Sequence, residues 1–269
     1  MGNSLSLSDW LTRIYSTIYG RFRSRGPFVR YSLIFLAFLA AIGCSKKPDS
    51  SVVATDNQPL TAVAETTDSS WGGLRIQSSG APLDEANQIV VLLHGYGATE
   101  ADLVPLAEYI GGESRSFVFP AAPVSLDGGG LAWATTEQEM EAARSAIASL
   151  VRFASRTYPN AEIAIGGFSQ GATISTMLLS DPSLAIRHLL LYSPALMVDA
   201  TSMNLATNIQ VLLAHGKADS VLPFEDSKRL NEMLTRKGIA TNWQPFDGGH
   251  TITAEILDAT RDQLNQIDK

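Results

Sequence analysis

Residues 166–172 read Gly-Gly-Phe-Ser-Gln-Gly-Ala, which sets Ser169 between Gly167 and Gly171. A strand-like segment, Ala161–Ile165, comes before it, and a segment with helical spacing, Thr173–Leu179, comes after. A serine at a sharp strand-to-helix turn is suited to nucleophilic attack, because the two glycines remove side chains that would collide there. Its hydroxyl then projects at the start of a helix, where the dipole and free N–H groups favour developing negative charge. The plainer alternative is a Gly-rich loop whose serine caps the helix. The strand before and the helix after favour the turn.

Serine is a weak nucleophile until a base takes its proton, and the base needs an orienting carboxylate. The chain has four histidines: His94, His188, His215 and His250. With such a turn, the expected order along the chain is serine, acid, histidine. His250 is the last of the four and ends the glycine-rich turn Asp247-Gly-Gly-His250, after the strand-like Thr241–Phe246. It is the expected base. The expected acid is Asp219, just past the apolar Val211–Ala214 on a loop that also carries Gly216. Asp199 and Asp247 are the rival carboxylates. Asp247 lies very near the base along the chain, which makes its approach to the far ring nitrogen difficult.

A tetrahedral intermediate needs two preorganised N–H donors. One is expected from Gln170, the residue after the serine. The other is expected from Tyr96, in the loop His94-Gly-Tyr-Gly97 that follows the apolar Ile89–Leu93. His94 reads as an organiser of that loop rather than as a reacting group.

These loops must be placed by the elements before them. Short apolar runs occur at Ile89–Leu93, Phe117–Phe119, Ile163–Ile165, Leu189–Tyr192 and Ile209–Leu213. Segments with helical spacing lie at Thr136–Tyr158, Thr173–Leu179, Phe224–Lys237 and Ile252–Ile267. In the first of these, Met140, Ala143, Ile147, Leu150, Val151 and Ala154 share a face. Continuous apolar strands alternating with amphipathic helices predict an α/β fold: a mostly parallel sheet covered on both faces. Such sheets bind ligands beyond the carboxyl ends of their strands, where each candidate residue falls.

Taken together, these motifs resemble the carboxylesterase/phospholipase family of α/β-hydrolases that includes the acyl-protein thioesterases. The likeness rests on Leu93-His-Gly-Tyr-Gly97 with Asp102-Leu-Val-Pro-Leu106, Phe119-Pro-Ala-Ala-Pro123, Gly167-Phe-Ser-Gln-Gly171, His215-Gly-Lys-Ala-Asp219 with Val221-Leu-Pro223, and Gly249-His250. It covers about residues 71–269. The resemblance implies an esterase with a small or absent lid, a triad of Ser169, Asp219 and His250, and oxyanion donors at Tyr96 and Gln170. One departure is plain. The family often has Trp-Phe-Asp after a Gly-rich loop, whereas this chain reads Leu131-Ala-Trp133-Ala-Thr135. Trp133 is the expected wall of the acyl pocket, with a core tryptophan as the alternative.

The remaining features concern address rather than chemistry. Residues 1–44 carry five arginines and one acid, leaving 15 basic and 26 acidic residues and a net charge near −11 for the rest. That acidity disfavours nucleic-acid partners. The sole cysteine, Cys44, excludes an internal disulfide and a thiolate metal cluster, and the expected chemistry requires no metal or cofactor. Tyr31–Gly43 is uncharged and follows Arg21, Arg23, Arg25 and Arg30, as in a secretory signal. At 13 residues it falls short of the roughly 20 needed to span a bilayer, although an uncleaved anchor is the alternative. It ends in Ala41-Ile-Gly-Cys44, which resembles a bacterial lipoprotein box.

The expected organisation is therefore a signal peptide over 1–43 with a long basic n-region, a lipid-anchored linker over 44–70, and a catalytic domain over 71–269. Apolar residues recur at helical spacing from Leu7 to Phe22, so this stretch is either an amphipathic helix or sequence that is not translated. Met1-Gly2 with Ser6 fits N-myristoylation but does not suit an exported protein. The expected location is the bacterial cell envelope, with the outer membrane favoured by Ser45. The expected function is hydrolysis of carboxylic esters, small or lipid, through an acyl-enzyme, with lysophospholipase or thioesterase variants. The competing readings are a serine peptidase and a lipoprotein binding module without turnover.

Overall fold

The computed structural model describes residues 71–198 and 208–266. The signal and linker segments, Cys44 and Asp199 lie outside these residues. The core is a seven-stranded sheet in the order β1-β3-β2-β6-β7-β8-β9. Its strands are β1 (Ile76–Gly80), β2 (Gln88–Leu93), β3 (Arg115–Pro120), β6 (Glu162–Phe168), β7 (His188–Tyr192), β8 (Gln210–Gly216) and β9 (Ala240–Phe246). Only β1 runs antiparallel to its neighbour. Two further strands, β4 (Val124–Ser125) and β5 (Leu131–Ala132), form a small hairpin of their own.

The five runs read as strands from their apolar character are all strands. β2, β3 and β7 are buried along their whole length, as expected where helices cover both faces. One face packs α1 (Val104–Ile110) and α5 (Ala254–Leu264), whose Ile110, Ile256 and Leu257 meet Val90, Leu92, Phe117, Phe119, Leu190 and Leu212. Alternate strand residues point to the opposite face. There α2 (Glu137–Thr157) packs on α3 (Gln170–Met177), and α4 (Phe224–Arg236) covers β8 and β9. In α2 all six residues assigned to one face from their spacing are buried. The helix starts where Thr136 caps it: Thr136 Oγ1 accepts from the Glu139 amide at 3.2 Å, and the Glu139 carboxylate accepts from the Thr136 amide at 3.0 Å.

The chain enters the middle of the sheet at β2, moves outward to β3, and returns to lay β6 on the other side of β2. The loops after β2 and β6 therefore leave the sheet side by side in opposite senses. This switch point is where sheets of this kind open a crevice. Leu93 at the end of β2 is in register with Gly167 of β6, two residues before the serine. Among the described residues no helix is long and apolar enough to cross a membrane.

Candidate active site

Ser169 stands between β6 and α3 with φ 57° and ψ −117°. Among the described residues only it and Ser193 are non-glycine residues at positive φ. A side-chain-bearing residue there costs on the order of 1–3 kcal/mol, so the surroundings must impose it. They do so by contact. A Cβ on Gly167 would lie 2.3 Å from the Leu93 carbonyl oxygen, and one on Gly171 would lie 2.2 Å from the same atom. The Ser169 amide also donates to the Tyr192 carbonyl at 2.9 Å, and its carbonyl accepts from Thr173 N and Oγ1, both at 3.0 Å.

The loop after β2 runs directly beside this turn. A Cβ built on Gly95 would sit 3.4 Å from Ser169 Cβ, so Tyr96 follows immediately from the serine's neighbour. Beyond it, the Gly97 amide donates to the Leu131 carbonyl at 2.8 Å, and the Leu131 amide returns a bond to Ala98 at 2.8 Å. The hairpin β4–β5 thus fastens this loop. His94 fastens its base. His94 Nε2 accepts from the Ala122 amide at 3.1 Å, so Nδ1 carries the proton and donates to the Gly95 carbonyl at 2.8 Å. Burial lowers the His94 pKa, which keeps the ring neutral as this arrangement requires.

Gln170 opens α3, where backbone N–H groups have no partner within the helix. Its side chain has a second use: it accepts from the Trp133 amide at 2.8 Å and donates to the Ala134 carbonyl at 2.7 Å. Trp133 takes the second of the two places expected for it, the core, and not the pocket wall. The side chain is fully buried, with 0% of its surface exposed, and its Nε1–H donates to the His94 carbonyl at 2.8 Å. It lies beneath the loop after β2 as a prop and forms no exposed wall. The position was legible; the direction of the indole depended on a backbone acceptor distant in sequence.

Toward the far edge of the sheet, the loops after β8 and β9 are laced together. The Lys217 amide donates to the Phe246 carbonyl and the Ala218 amide to the Gly248 carbonyl, both at 2.9 Å. Gly216 sits so close to this turn that a Cβ would fall 2.3 Å from the Gly249 carbonyl oxygen. This brings His250 Nδ1 to 2.6 Å from Asp219 Oδ2. The His250 ring lies 4.6 Å from the Phe168 ring, next to the serine turn. Asp219 Oδ1 accepts from the Val221 and Leu222 amides at 2.8 and 2.9 Å. Burial alone would raise this carboxyl's pKa. The hydrogen bonds from His215, His250 and the Leu222 amide outweigh that and hold it well below the ordinary carboxylate range.

Of the rival acids, Asp247 points into solvent, 91% exposed, and pairs with Lys217 Nζ at 2.8 Å. Reading the sequence did not reveal that His215 also reaches Asp219, at 3.2 Å from Oδ2. The one available signal was the four-residue separation of the two at the end of a core strand. Among the described residues, no group of three or more His, Cys, Asp or Glu side chains could hold a metal ion.

A mostly parallel sheet with helices on both faces and a serine at a strained turn after β6 defines an α/β-hydrolase. A family model for phospholipases and carboxylesterases matches residues 75–267, and the chain belongs to that family. Among solved structures it is similar to esterase PE8, with 26% identity over 72% of this chain and 99% of that one, at a TM-score of 0.65. It shares the fold with the Mesorhizobium loti carboxylesterase (22% identity, 76% and 99% covered, TM-score 0.63). The same holds for the Bacillus cereus carboxylesterase (21% identity, 72% and 94% covered, TM-score 0.61).

Proposed function

We propose that this protein is a serine carboxylesterase that works through an acyl-enzyme, with Ser169 as nucleophile, His250 as base and Asp219 as its orienter. The observation that carries this reading is the 2.6 Å contact between His250 Nδ1 and Asp219 Oδ2, with the His250 ring beside the strained Ser169 turn. With Nδ1–H committed to an anionic carboxylate, Nε2 is the nitrogen left to take a proton. As Ser169 Oγ bonds to the ester carbonyl carbon, its proton passes to His250 Nε2, and the carbonyl oxygen becomes an oxyanion. The amides of Gln170 and Tyr96 stabilise that charge. When the tetrahedral intermediate collapses, the carbon–oxygen bond to the alcohol breaks and the alcohol leaves with the proton from His250. Water then attacks the acyl carbon and gives a proton to His250; the bond from that carbon to Ser169 Oγ breaks, Ser169 takes the proton back from His250, and the acid is released.

Membership of the phospholipase/carboxylesterase family and the likeness to esterase PE8 support esters as the substrate class. A lipid on Cys44, after removal of residues 1–43, would tether the enzyme in a bacterial cell envelope through the linker 44–70. The support for this is the uncharged Tyr31–Gly43 run and the Ala-Ile-Gly-Cys box. A tethered esterase with a short reach suits esters presented at or near a membrane.

The test is hydrolysis of p-nitrophenyl esters from acetyl to dodecanoyl, with Ser169→Ala beside the parent. Turnover in the parent and a loss of roughly 10⁴-fold or more in the variant is the expected result. The chain-length profile then separates a short-chain esterase from a lipid hydrolase. Equal behaviour of folded parent and variant would instead favour a binding module. Turnover of amide or thioester substrates alone would favour a peptidase or thioesterase.

A further inference from the structure

Asp219 is approached by two histidines. His250 Nδ1 lies 2.6 Å from Oδ2, and His215 Nε2 lies 3.2 Å from the same oxygen. His215 is fully buried at the end of β8, and its ring is engaged on both nitrogens. Nε2 also lies 3.2 Å from the Leu222 carbonyl oxygen. Facing two acceptors, a carboxylate and a carbonyl, Nε2 carries the proton. Nδ1 is then the acceptor, and the Ser227 hydroxyl of α4 donates to it at 2.6 Å. Phe224 of the same helix meets the ring edge-on at 5.9 Å between centroids.

Ser227 therefore donates to His215, and His215 and His250 both direct an N–H at Asp219, so the donors converge on one carboxylate oxygen from two sides. The geometry points to His215 as a positioning residue: its Nε2–H holds Asp219 Oδ2 where His250 needs it and shares that oxygen's negative charge. This rests on the triad reading given above. The carboxylate would otherwise be fixed only at Oδ1, by the Val221 and Leu222 amides. That leaves the carboxyl plane, and so the direction offered to His250, less determined. His215 acts on His250 only through Asp219 and touches no reacting atom.

The charged surroundings leave this pair dominant. Asp219 is the ionisable group in contact with the ring, and His250 lies past it on the same carboxylate. Helix α4 presents Ser227 and Phe224 to it, and β9 sets Pro245 opposite it in register. Tyr192 of β7 stands opposite Ala214 and is committed to Thr260 at 2.8 Å. The Lys217–Asp247 pair lies out in solvent. Two donors on one oxygen lower its basicity. Removing the inner donor leaves that oxygen's charge to His250 alone.

The experiment is the pH profile of kcat and kcat/KM for p-nitrophenyl butyrate, using the full chain. His215→Leu removes the donor at similar volume, His215→Gln keeps an N–H near the position of Nε2, and Ser227→Ala removes the hydroxyl whose donation to Nδ1 strengthens the Nε2–H donor. In His215→Leu, kcat is expected to fall about tenfold, the worth of one charged hydrogen bond, with KM changed less than threefold. Its acid limb should move to higher pH. His215→Gln should recover most of the rate and the parental limb, and Ser227→Ala should show a smaller shift of the same sign. A folded His215→Leu with parental kcat and limb overturns the inference. So does a rate loss that moves no limb and is not recovered in His215→Gln, since packing alone would produce that. Should His215→Leu fail to fold, Ser227→Ala decides: an unmoved limb there overturns the inference. Ser169→Ala runs alongside. If it keeps turnover, the triad reading itself fails; if it is inactive while His215→Leu matches the parent, only the role of His215 fails.

Discussion

The loops after β2 and β6 and the loops after β8 and β9 leave the same edge of the sheet, yet different forces hold them there. Around Ser169 the chain is placed by exclusion. Gly167 and Gly171 press against one carbonyl, that of Leu93, so closely that no side chain would fit, and a buried tryptophan props the adjoining loop. Around His250 the chain is placed mainly by polar bonds. The carboxylate of Asp219 accepts from two amides and from His250, with the His215 ring 3.2 Å away, and the neighbouring strand β9 is half-exposed and carries Pro245, which an edge strand tolerates. A nucleophile at positive φ is held by close steric contact added to the backbone hydrogen bonds of Ser169 with Tyr192 and Thr173. A base that must exchange protons needs partners that respond to charge.

This contrast predicts which changes cost activity and which cost stability. The largest loss on the polar side should come from Asp219→Asn. The amide can no longer accept as an anion from His250 Nδ1, so the wrong tautomer is favoured and kcat should fall roughly 10³- to 10⁴-fold. The fold should survive, since Oδ1 can still accept from the Val221 and Leu222 amides. Kinetics and circular dichroism on the same sample check both halves of that statement. A modest loss of rate would show that the carboxylate orients little.

Gly171→Ala should do the reverse in kind. The new methyl must push the Leu93 carbonyl out of register, at a cost of about 1–3 kcal/mol, read as a fall in melting temperature of roughly 2–12 °C. Activity should fall with it, because the same carbonyl precedes the loop that carries Tyr96. An unchanged melting temperature would mean that exclusion does not hold this half.

The two halves should also fail at different pH. His94, beneath the serine turn, has its pKa lowered by burial. Its unfolded value lies near 6.5, so the native state binds fewer protons below that pH. Stability from this group is complete above about pH 6.5 and declines as pH falls, with a limiting slope on the order of 1.4 kcal/mol per pH unit. Asp219 is likewise depressed but from an unfolded value near 3.9, so its contribution persists to about pH 4 and is lost only below. Melting temperatures from pH 8 to 3 should show the first decline flattened in His94→Asn and the second in Asp219→Asn. A single decline insensitive to both would contradict the division.

How much of this was legible in the sequence follows the same division. The steric half is written locally: a strand, glycines at fixed offsets and a helix specify the Ser169 turn almost unaided. Long amphipathic α2 and the buried parallel strands were equally plain, because their apolar residues repeat with the right period. The elements that were missed carry little of that signal. β1 buries a single residue of its five and is polar elsewhere. α1 has only seven residues, with Pro105 in its first turn. The hairpin β4–β5 is two residues a side and exists because Leu131 bonds back to the loop at Gly97 and Ala98. The polar half was readable as the expected pairing of Asp219 with His250 but not in its further partners, His215 and Lys217. That Asp219 meets two histidines, and that Asp247 turns outward, depends on how two loops cross in space.

The smallest effect expected is the most direct check on that last point. Asp247 lies three residues from His250 and is the obvious rival to Asp219 on chain proximity. In the structure its carboxylate is in solvent against Lys217, and that contact lowers its pKa. Exposed pairs of this kind gain little from Coulomb attraction in water and less as salt screens them. Asp247→Asn should therefore leave kcat/KM within about twofold of the parent, with no movement of the pH profile. A loss approaching that of Asp219→Asn would show that the outward rotamer of Asp247 gives way to an inward one during turnover. The polar half would then be held by a carboxylate that changes partners, and the contrast with the rigid serine turn would become sharper still.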